Sequence, residues 1–329
     1  MQTQCSRRGF LALTGAAGLL LATACESGSD SDAADGAVTI THAFGETTIP
    51  ARPTRVVSAG FTEQDSLLAL GLVPIATTEW WGEQPFAVWP WAQPALGGAQ
   101  PVVLSLTDGI DVDQIASLTP DLIVAINAGC DADTYARLSA IAPTVPQSGP
   151  APFFEPWKEQ AATLGRAAFA ADQMDALIAA VDDGFTAAGA AHPQFQDKKV
   201  LLLQGSTYWE NSVLATKPGW RTDFLTQLGF TISEAIAPFG REHDHRAYIP
   251  LPEIGPVLDD ADVLIWTTES DEDRARLLAD PNIAALRATR ENRNVFTTKD
   301  LTGAIAFSSV LSYPLVAEQL PPLLAAALT

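Results

Sequence analysis

Asp111-Val-Asp-Gln-Ile-Ala-Ser-Leu-Thr-Pro-Asp-Leu-Ile-Val124 has a counterpart in the second half of the chain, Leu251-Pro-Glu-Ile-Gly-Pro-Val-Leu-Asp-Asp-Ala-Asp-Val-Leu-Ile265. Each stretch reads as an acid, a short amphipathic helix, an aspartate and then an apolar run short enough to be a buried strand. With Asp111 and Leu251 as caps, Asp113 and Glu253 fall at the second helical position, where the helix dipole favours negative charge. A unit that occurs twice implies two similar lobes.

Working outward, strand and helix signals alternate on both sides. Val38–Ile49 alternates around Gly45 as an entry hairpin. Arg55–Gly60, Pro74–Thr78 and Leu122–Ile126 are buried strands. Thr62 caps a helix, with Asp65 at the capping-box position and Gly71 at its stop. From Glu155 to about Ala191 the pattern is helical and Ala-rich, with Met174, Leu177, Ile178, Val181 and Phe185 at helical spacing and a break near Ala170. Alternation then resumes with strands at Lys199–Gln204, Val263–Thr267 and Asn294–Thr298, a helix at Thr222–Leu228 stopped by Gly229, and a terminal helix from about Ser308. The expected fold class is α/β: two Rossmann-like lobes with mainly parallel sheets, joined by one long rigid helix. The expected boundaries are 38–153 for the N-terminal lobe, 154–192 for the linking helix and 193–329 for the C-terminal lobe. A ligand is expected in the cleft between the lobes.

The first residues carry an address. Ser6-Arg7-Arg8-Gly9-Phe10-Leu11 precedes an apolar run that ends at Ala22-Thr23-Ala24-Cys25. The run is shorter than the roughly 20 residues of a membrane span, and a twin arginine ahead of it is an export signal. Residues 1–24 are expected to be a twin-arginine lipoprotein signal peptide, Cys25 the lipidated new N-terminus, and 25–37 a flexible acidic tether. That places the mature protein outside the cytoplasm, anchored by lipid on Cys25 to the outer face of the cytoplasmic membrane.

Composition excludes several classes. The formal charge is −20, with 39 acids against 19 bases. Removing Arg7 and Arg8 makes it more negative, which argues against nucleic acid and against an electrostatic hold on anionic lipid. Of three cysteines, Cys5 leaves with the signal and Cys25 takes the lipid, so Cys130 has no disulfide partner. No Gly-x-Ser-x-Gly elbow, His-Glu-x-x-His or P-loop is present. Four histidines and one remaining cysteine leave little for acid–base or nucleophilic work, so no catalytic residue is assigned and an exported hydrolase or metalloenzyme is the rival of a different class. His243 and His245 suggest a metal, but the ligands zinc would need cannot be assembled around them; no resident metal or cofactor is expected.

The chain resembles the substrate-binding lipoproteins of ABC importers in the ferric siderophore and cobalamin group, the class III periplasmic binding proteins. The motifs that carry this are Thr48-Ile-Pro-Ala-Arg-Pro-Thr-Arg-Val-Val57, Leu67-Leu-Ala-Leu-Gly-Leu-Val-Pro74, Ile115 to Ile123, Thr222-Asp-Phe-Leu-Thr-Gln-Leu-Gly-Phe230 and Asp262-Val-Leu-Ile265. Together they span nearly all of 38–329. The resemblance implies a monomeric receptor, with no enzymatic activity, that captures a ferric siderophore, or another large chelate such as cobalamin or haem, and delivers it to a permease dimer. It implies a shallow cleft that closes little, and docking of Asp113 and Glu253 into arginines of the permease. From the residues themselves, Trp80 and Trp81 follow a strand at the end where such lobes bind ligands, and Tyr208 and Trp209 mirror them. Trp220 and Arg221 precede a helix. Arg241 and Arg246 offer charged forks for ligand oxygens.

Overall fold

The structure is a computed structural model, and it describes residues 36–329 apart from Thr207 and His243. The expected signal peptide, Cys25, nearly all of the expected tether and His243 therefore lie outside the described residues.

The chain enters through an antiparallel hairpin, β1 (Val38–His42) and β2 (Gly45–Ile49), with Val38 opposite Ile49. Its alternation buries Ile40, Thr47 and Ile49 while Thr39, Thr41 and Thr48 face outward. The first lobe then follows as β3 (Val56–Ser58), α1 (Glu63–Ala69), β4 (Ala76–Glu79), β5 (Val102–Ser105), α2 (Val112–Ser117), β6 (Leu122–Ala125), α3 (Ala132–Ser139) and β7 (Thr144–Pro146). Its strands lie in the order β5-β4-β3-β6-β7, all parallel.

Two helices make the connection, α4 (Trp157–Ala167) and α5 (Ala171–Ala191). Between them Phe169 takes a left-handed φ of 58°, and Ala170 N donates back to Gly165 O at 2.8 Å, as a helix C-terminus does when it turns sharply. Gly165 is required here: an added Cβ would lie 2.6 Å from that of Met174. Met174, Val181 and Phe185 point inward as their spacing predicts.

The second lobe runs β8 (Lys199–Gln204), β9 (Ser212–Thr216), α6 (Asp223–Gln227), β10 (Thr231–Ile232), β11 (Arg246–Pro250), α7 (Ile254–Leu258), β12 (Val263–Thr267), α8 (Asp271–Ala279), α9 (Pro281–Ala284), α10 (Arg287–Arg290), β13 (Asn294–Phe296), α11 (Lys299–Phe307) and α12 (Tyr313–Ala327). Its sheet order is β11-β9-β8-β12-β13, with β10 beside the start of β8. β10, β8, β12 and β13 pair in parallel, whereas β8–β9 and β9–β11 are antiparallel.

The repeated aspartate does the same work in both lobes. Asp121, at the start of β6, accepts from Thr54 N and Arg55 N at 2.8 Å each, at the entrance to β3. Asp262, at the start of β12, accepts from Lys199 N at 2.9 Å, at the entrance to β8. Each carboxylate satisfies donors where two neighbouring strands begin. Among the described residues no helix is long and apolar enough to cross a membrane.

Three details depart from the sequence pattern. The Thr62 side chain forms no cap bond on α1; it accepts instead from Asn127 Nδ2 at 3.2 Å and Gln160 Nε2 at 3.0 Å. Asp65 is not a capping residue but is fully buried. The C-terminal region is two helices, because Ser308 takes a left-handed φ of 51° and turns the chain between α11 and α12.

Candidate ligand-binding cleft

The two sheets present the carboxyl ends of their parallel strands to one another, the end at which α/β lobes place their ligand contacts. A cavity of ≈ 290 Å³ lies there. Trp80, directly after β4, and Phe154, before α4, come from the first lobe. Gln204 at the end of β8, Arg221 before α6, and His245 and Arg246 at the start of β11 come from the second. Thr302, Ile305 and Ala306 of α11 also line it, as do residues of β8, β9 and β12, among them Leu203, Ala215 and Thr267. Two flanking cavities of ≈ 360 Å³ share walls with it. One adds Phe153, Lys217, Trp220 and Asp244; the other adds Trp81, Ser206, Glu269 and Asp273.

The first-lobe wall is aromatic. Trp80 lies 5.1 Å from Phe154, 5.6 Å from Phe61 and 5.6 Å from Phe307, measured between ring centres. Trp81 stands edge-on to Trp80 and to Trp89, and Trp89 stacks on Trp91 at 5.1 Å. Such offset and edge-on pairs add to the area they bury. Phe154 holds a left-handed φ of 60°, stabilised by its N–H donating to Asn127 Oδ1 at 2.8 Å. Asn127 is fixed in turn by its own N–H, which donates to Glu63 Oε1 at 2.8 Å. Glu63 is fully buried, and desolvation raises its carboxyl to about 7 against the backbone hydrogen bonds that lower it.

The second-lobe wall is basic. The Arg221 guanidinium lies between two rings, 4.7 Å from the centre of Phe154 and 4.3 Å from that of Trp220. Burial lowers its pKa to about 10, so it stays a cation at neutral pH, favoured by both ring faces. Arg246 Nε donates to His245 Nε2 at 3.2 Å, which assigns the proton of that imidazole to Nδ1. Burial first, then Arg221 and Arg246, lower His245 to about 4, so it is neutral at physiological pH. Asp244 is an acid beside these bases, and it accepts from Tyr248 Oη at 2.8 Å and from Arg246 N at 3.0 Å.

A sheltered cleft with flat apolar faces on one side and guanidinium forks on the other suits a large ligand that carries acceptor oxygens. Comparison with known proteins agrees with a binding role. Residues 56–301 match the family model described as "Periplasmic binding protein". The chain belongs to the periplasmic binding protein family.

Among solved structures, this periplasmic binding protein is similar to a periplasmic solute binding protein from Mycobacterium smegmatis str. MC2 155. The two are 61% identical with a TM-score of 0.84, covering 90% of this chain and 100% of that one. It shares its fold with Streptococcus pneumoniae TIGR4 PiaA, solved in complex with ferrichrome, at 23% identity and a TM-score of 0.72, covering 88% of this chain and 98% of that one. It is 31% identical over 173 residues to the probable siderophore-binding lipoprotein YfiY of Bacillus subtilis (strain 168); the match spans 50% of each chain, so it covers about half the length of that curated relative.

In this periplasmic binding protein, Trp80, Arg221 and Arg246 come together around the central cavity. Trp81 and Trp220 line the flanking ones. Tyr208, Trp209 and Arg241 do not line these cavities. Trp209 and Ser212 exchange backbone hydrogen bonds of 2.9 Å each, closing a hairpin loop that leaves Trp209 57% exposed. The Tyr208 hydroxyl accepts from Asn282 Nδ2 at 3.1 Å. Arg241 stacks on Tyr248 at 3.5 Å and pairs with Glu210 at 3.1 Å. Asp113 and Glu253 are both exposed, and Asp113 has Arg137 at 3.9 Å. Among the described residues no group of three or more His, Cys, Asp or Glu is placed to hold a metal ion. Sequence reasoning missed Phe154 and the α11 residues. The Phe153-Phe154 pair between Pro152 and Pro156 was the available signal for the first.

Proposed function

We propose that this periplasmic binding protein captures a ferric siderophore outside the cytoplasm and delivers it to an ABC transporter permease. The observation that carries this is the single cavity with Trp80 and Phe154 on one lobe facing Arg221 and Arg246 on the other. Aromatic faces suit the organic rim of a chelate. Guanidinium groups suit the acceptor oxygens around its metal, and most strongly those of an anionic complex. The name of the YfiY relative and the ferrichrome bound to PiaA support the ligand class. The protein binds its ligand without chemical change and works as a monomer. A lipid on Cys25 keeps it near its permease, and Asp113 and Glu253, one exposed acid on each lobe, dock into that permease.

The test is a binding screen of the purified mature protein, read by tryptophan fluorescence. The panel contains ferrichrome, ferric staphyloferrin B and a ferric tris-catecholate, with haem and cobalamin as the other large chelates. Saturable quenching by an iron chelate is expected. Binding of haem or cobalamin alone, or of nothing in the panel, overturns the siderophore reading.

A further inference from the structure

α11 is a second-lobe helix that forms part of the cleft, and it is fastened to the first lobe near both ends. At its start Lys299 Nζ donates to Gly82 O at 2.9 Å. Beyond its end Ser309 Oγ donates to Asp65 Oδ2 at 2.6 Å. Between these points the helix lies against the tryptophan loop. An added Cβ on Gly303 would lie 2.5 Å from the Trp89 ring, and Phe307 packs 5.6 Å from both Trp80 and Trp91. Thr302, Ile305 and Ala306 face the cavity.

Asp65 is the unusual member of this contact. It is fully buried, and Trp91 Nε1 donates to the same oxygen, Oδ2, at 2.8 Å. The other oxygen, Oδ1, is buried with no hydrogen-bond partner among the described residues. A buried carboxylate that leaves one oxygen unsatisfied is costly, so stability alone does not account for an acid here. Ser309 Oγ also accepts from Leu311 N at 3.2 Å and from Ser312 N at 3.0 Å. Ser309 therefore orders the whole turn between α11 and α12 while it holds Asp65.

We propose that Asp65 is a positioning residue for the cleft: by holding Trp91 and Ser309 on one oxygen, it sets the cleft-facing side of α11 against Trp80 before any ligand arrives. A preformed site loses less conformational freedom on binding. This rests on the reading of the cleft as the ligand site, and it adds a residue that does not touch the ligand.

The test compares Asp65→Asn with Asp65→Leu. Asparagine keeps an acceptor for both donors and puts its NH2 where the unpartnered oxygen lies. Leucine removes the acceptor and also the cost of a buried charge. Hydrogen exchange is measured on the α11–α12 turn, and affinity is measured for ferrichrome, ferric staphyloferrin B and a ferric tris-catecholate. Asp65→Leu should speed exchange at residues 305–312 while the sheets stay protected, and should weaken the best chelate by about tenfold, the low end for a hydrogen bond to a charged group. Asp65→Asn should restore both. Wild-type exchange in this turn for Asp65→Leu, or equal loosening in Asp65→Asn, overturns the proposal. Exchange that rises equally across both lobes also overturns it, since the role would then be general stability. If the wild type binds no chelate, the functional reading fails, and exchange alone decides the role of Asp65.

Discussion

Replacing Glu63 by glutamine should make the stability difference from wild type depend on pH, and the structure gives the sign. Glu63 is fully buried beneath the aromatic wall, and desolvation raises its carboxyl from 4.5 to about 7 in the folded protein. A folded-state pKa above the unfolded one means that the folded chain holds the proton more tightly. The stabilisation from that proton is complete below pH 4.5 and is lost as pH rises through about 7. At about 1.4 kcal/mol per pH unit, the interval between 4.5 and about 7 corresponds to roughly 3 kcal/mol, of which roughly 2–3 kcal/mol falls between pH 5 and pH 8. Glutamine imitates the protonated acid at every pH. It offers one acceptor to the Asn127 and Thr62 N–H groups that now donate to the two oxygens. Asp65 is raised to about 6 by the same burial and is common to both proteins, so the difference between them isolates Glu63. Denaturant unfolding, followed by tryptophan emission and circular dichroism, should show wild type gaining on Glu63→Gln by roughly 2–3 kcal/mol as pH falls from 8 to 5. A difference that stays flat over that range, or grows with rising pH, refutes the assignment of Glu63 as a buried acid that titrates near neutrality.

Trp80→Ala should remove most of the fluorescence quenching by the best chelate and weaken its binding, as followed by titration. Unchanged quenching and affinity would take Trp80 out of the site. Arg221→Gln and Arg246→Gln should each weaken an anionic ferric chelate by about tenfold or more and reduce the salt dependence of binding, while Arg241→Gln should leave the dissociation constant within about threefold, less than one charged hydrogen bond. The Asp113→Ala and Glu253→Ala double variant should bind ligand normally but slow uptake in cells that contain normal amounts of protein. Wild-type uptake would rule out docking through these acids.

Much of the fold was legible because buried strands advertise themselves. Lys199–Gln204 and Val263–Thr267 are apolar runs bounded by polar residues, and the structure places β8 and β12 on those residues. The duplicated Asp121 and Asp262 were legible as a repeat, although their shared task of tying neighbouring strand starts was not. The site was legible in part: Trp80, Arg221 and Arg246 line the central cavity, whereas Tyr208 and Trp209 do not. Trp80 and Tyr208-Trp209 each follow an inner strand of a lobe, but Trp80 follows β4, beside the central β3, whereas Tyr208 follows the central β8. In the first lobe the chain leaves β4 by a long loop, which is free to bring Trp80 to the cleft. In the second it turns back into antiparallel β9; Ser206 still reaches a flanking cavity, but the hairpin closed by Trp209 and Ser212 takes Tyr208 and Trp209 elsewhere. Glu63 and Asp65 were illegible for another reason. Acids in a helix's first turn normally mark a solvated end, and only the packing of α11 and the Asn127 loop around α1 buries them.

Net charge and local charge point in opposite directions here, and the distances determine which one a ligand meets. The chain carries −20 overall, but exposed charges beyond about 8 Å are largely screened at physiological salt. Around the central cavity the charges are Arg221, pressed between Phe154 and Trp220, and Arg246 beside a neutral His245, while Lys217, Asp244, Glu269 and Asp273 line the flanking cavities. If His245 were cationic, it would push Arg246 away and cost more in a desolvated wall than it returned. Neutral, it accepts from Arg246 Nε and leaves the end of the fork for ligand oxygens. For an anionic ligand, the acidic surface would therefore slow approach without cancelling the attraction at contact, because Arg221 and Arg246 are held at the cleft by Phe154, Trp220, His245 and Asp244.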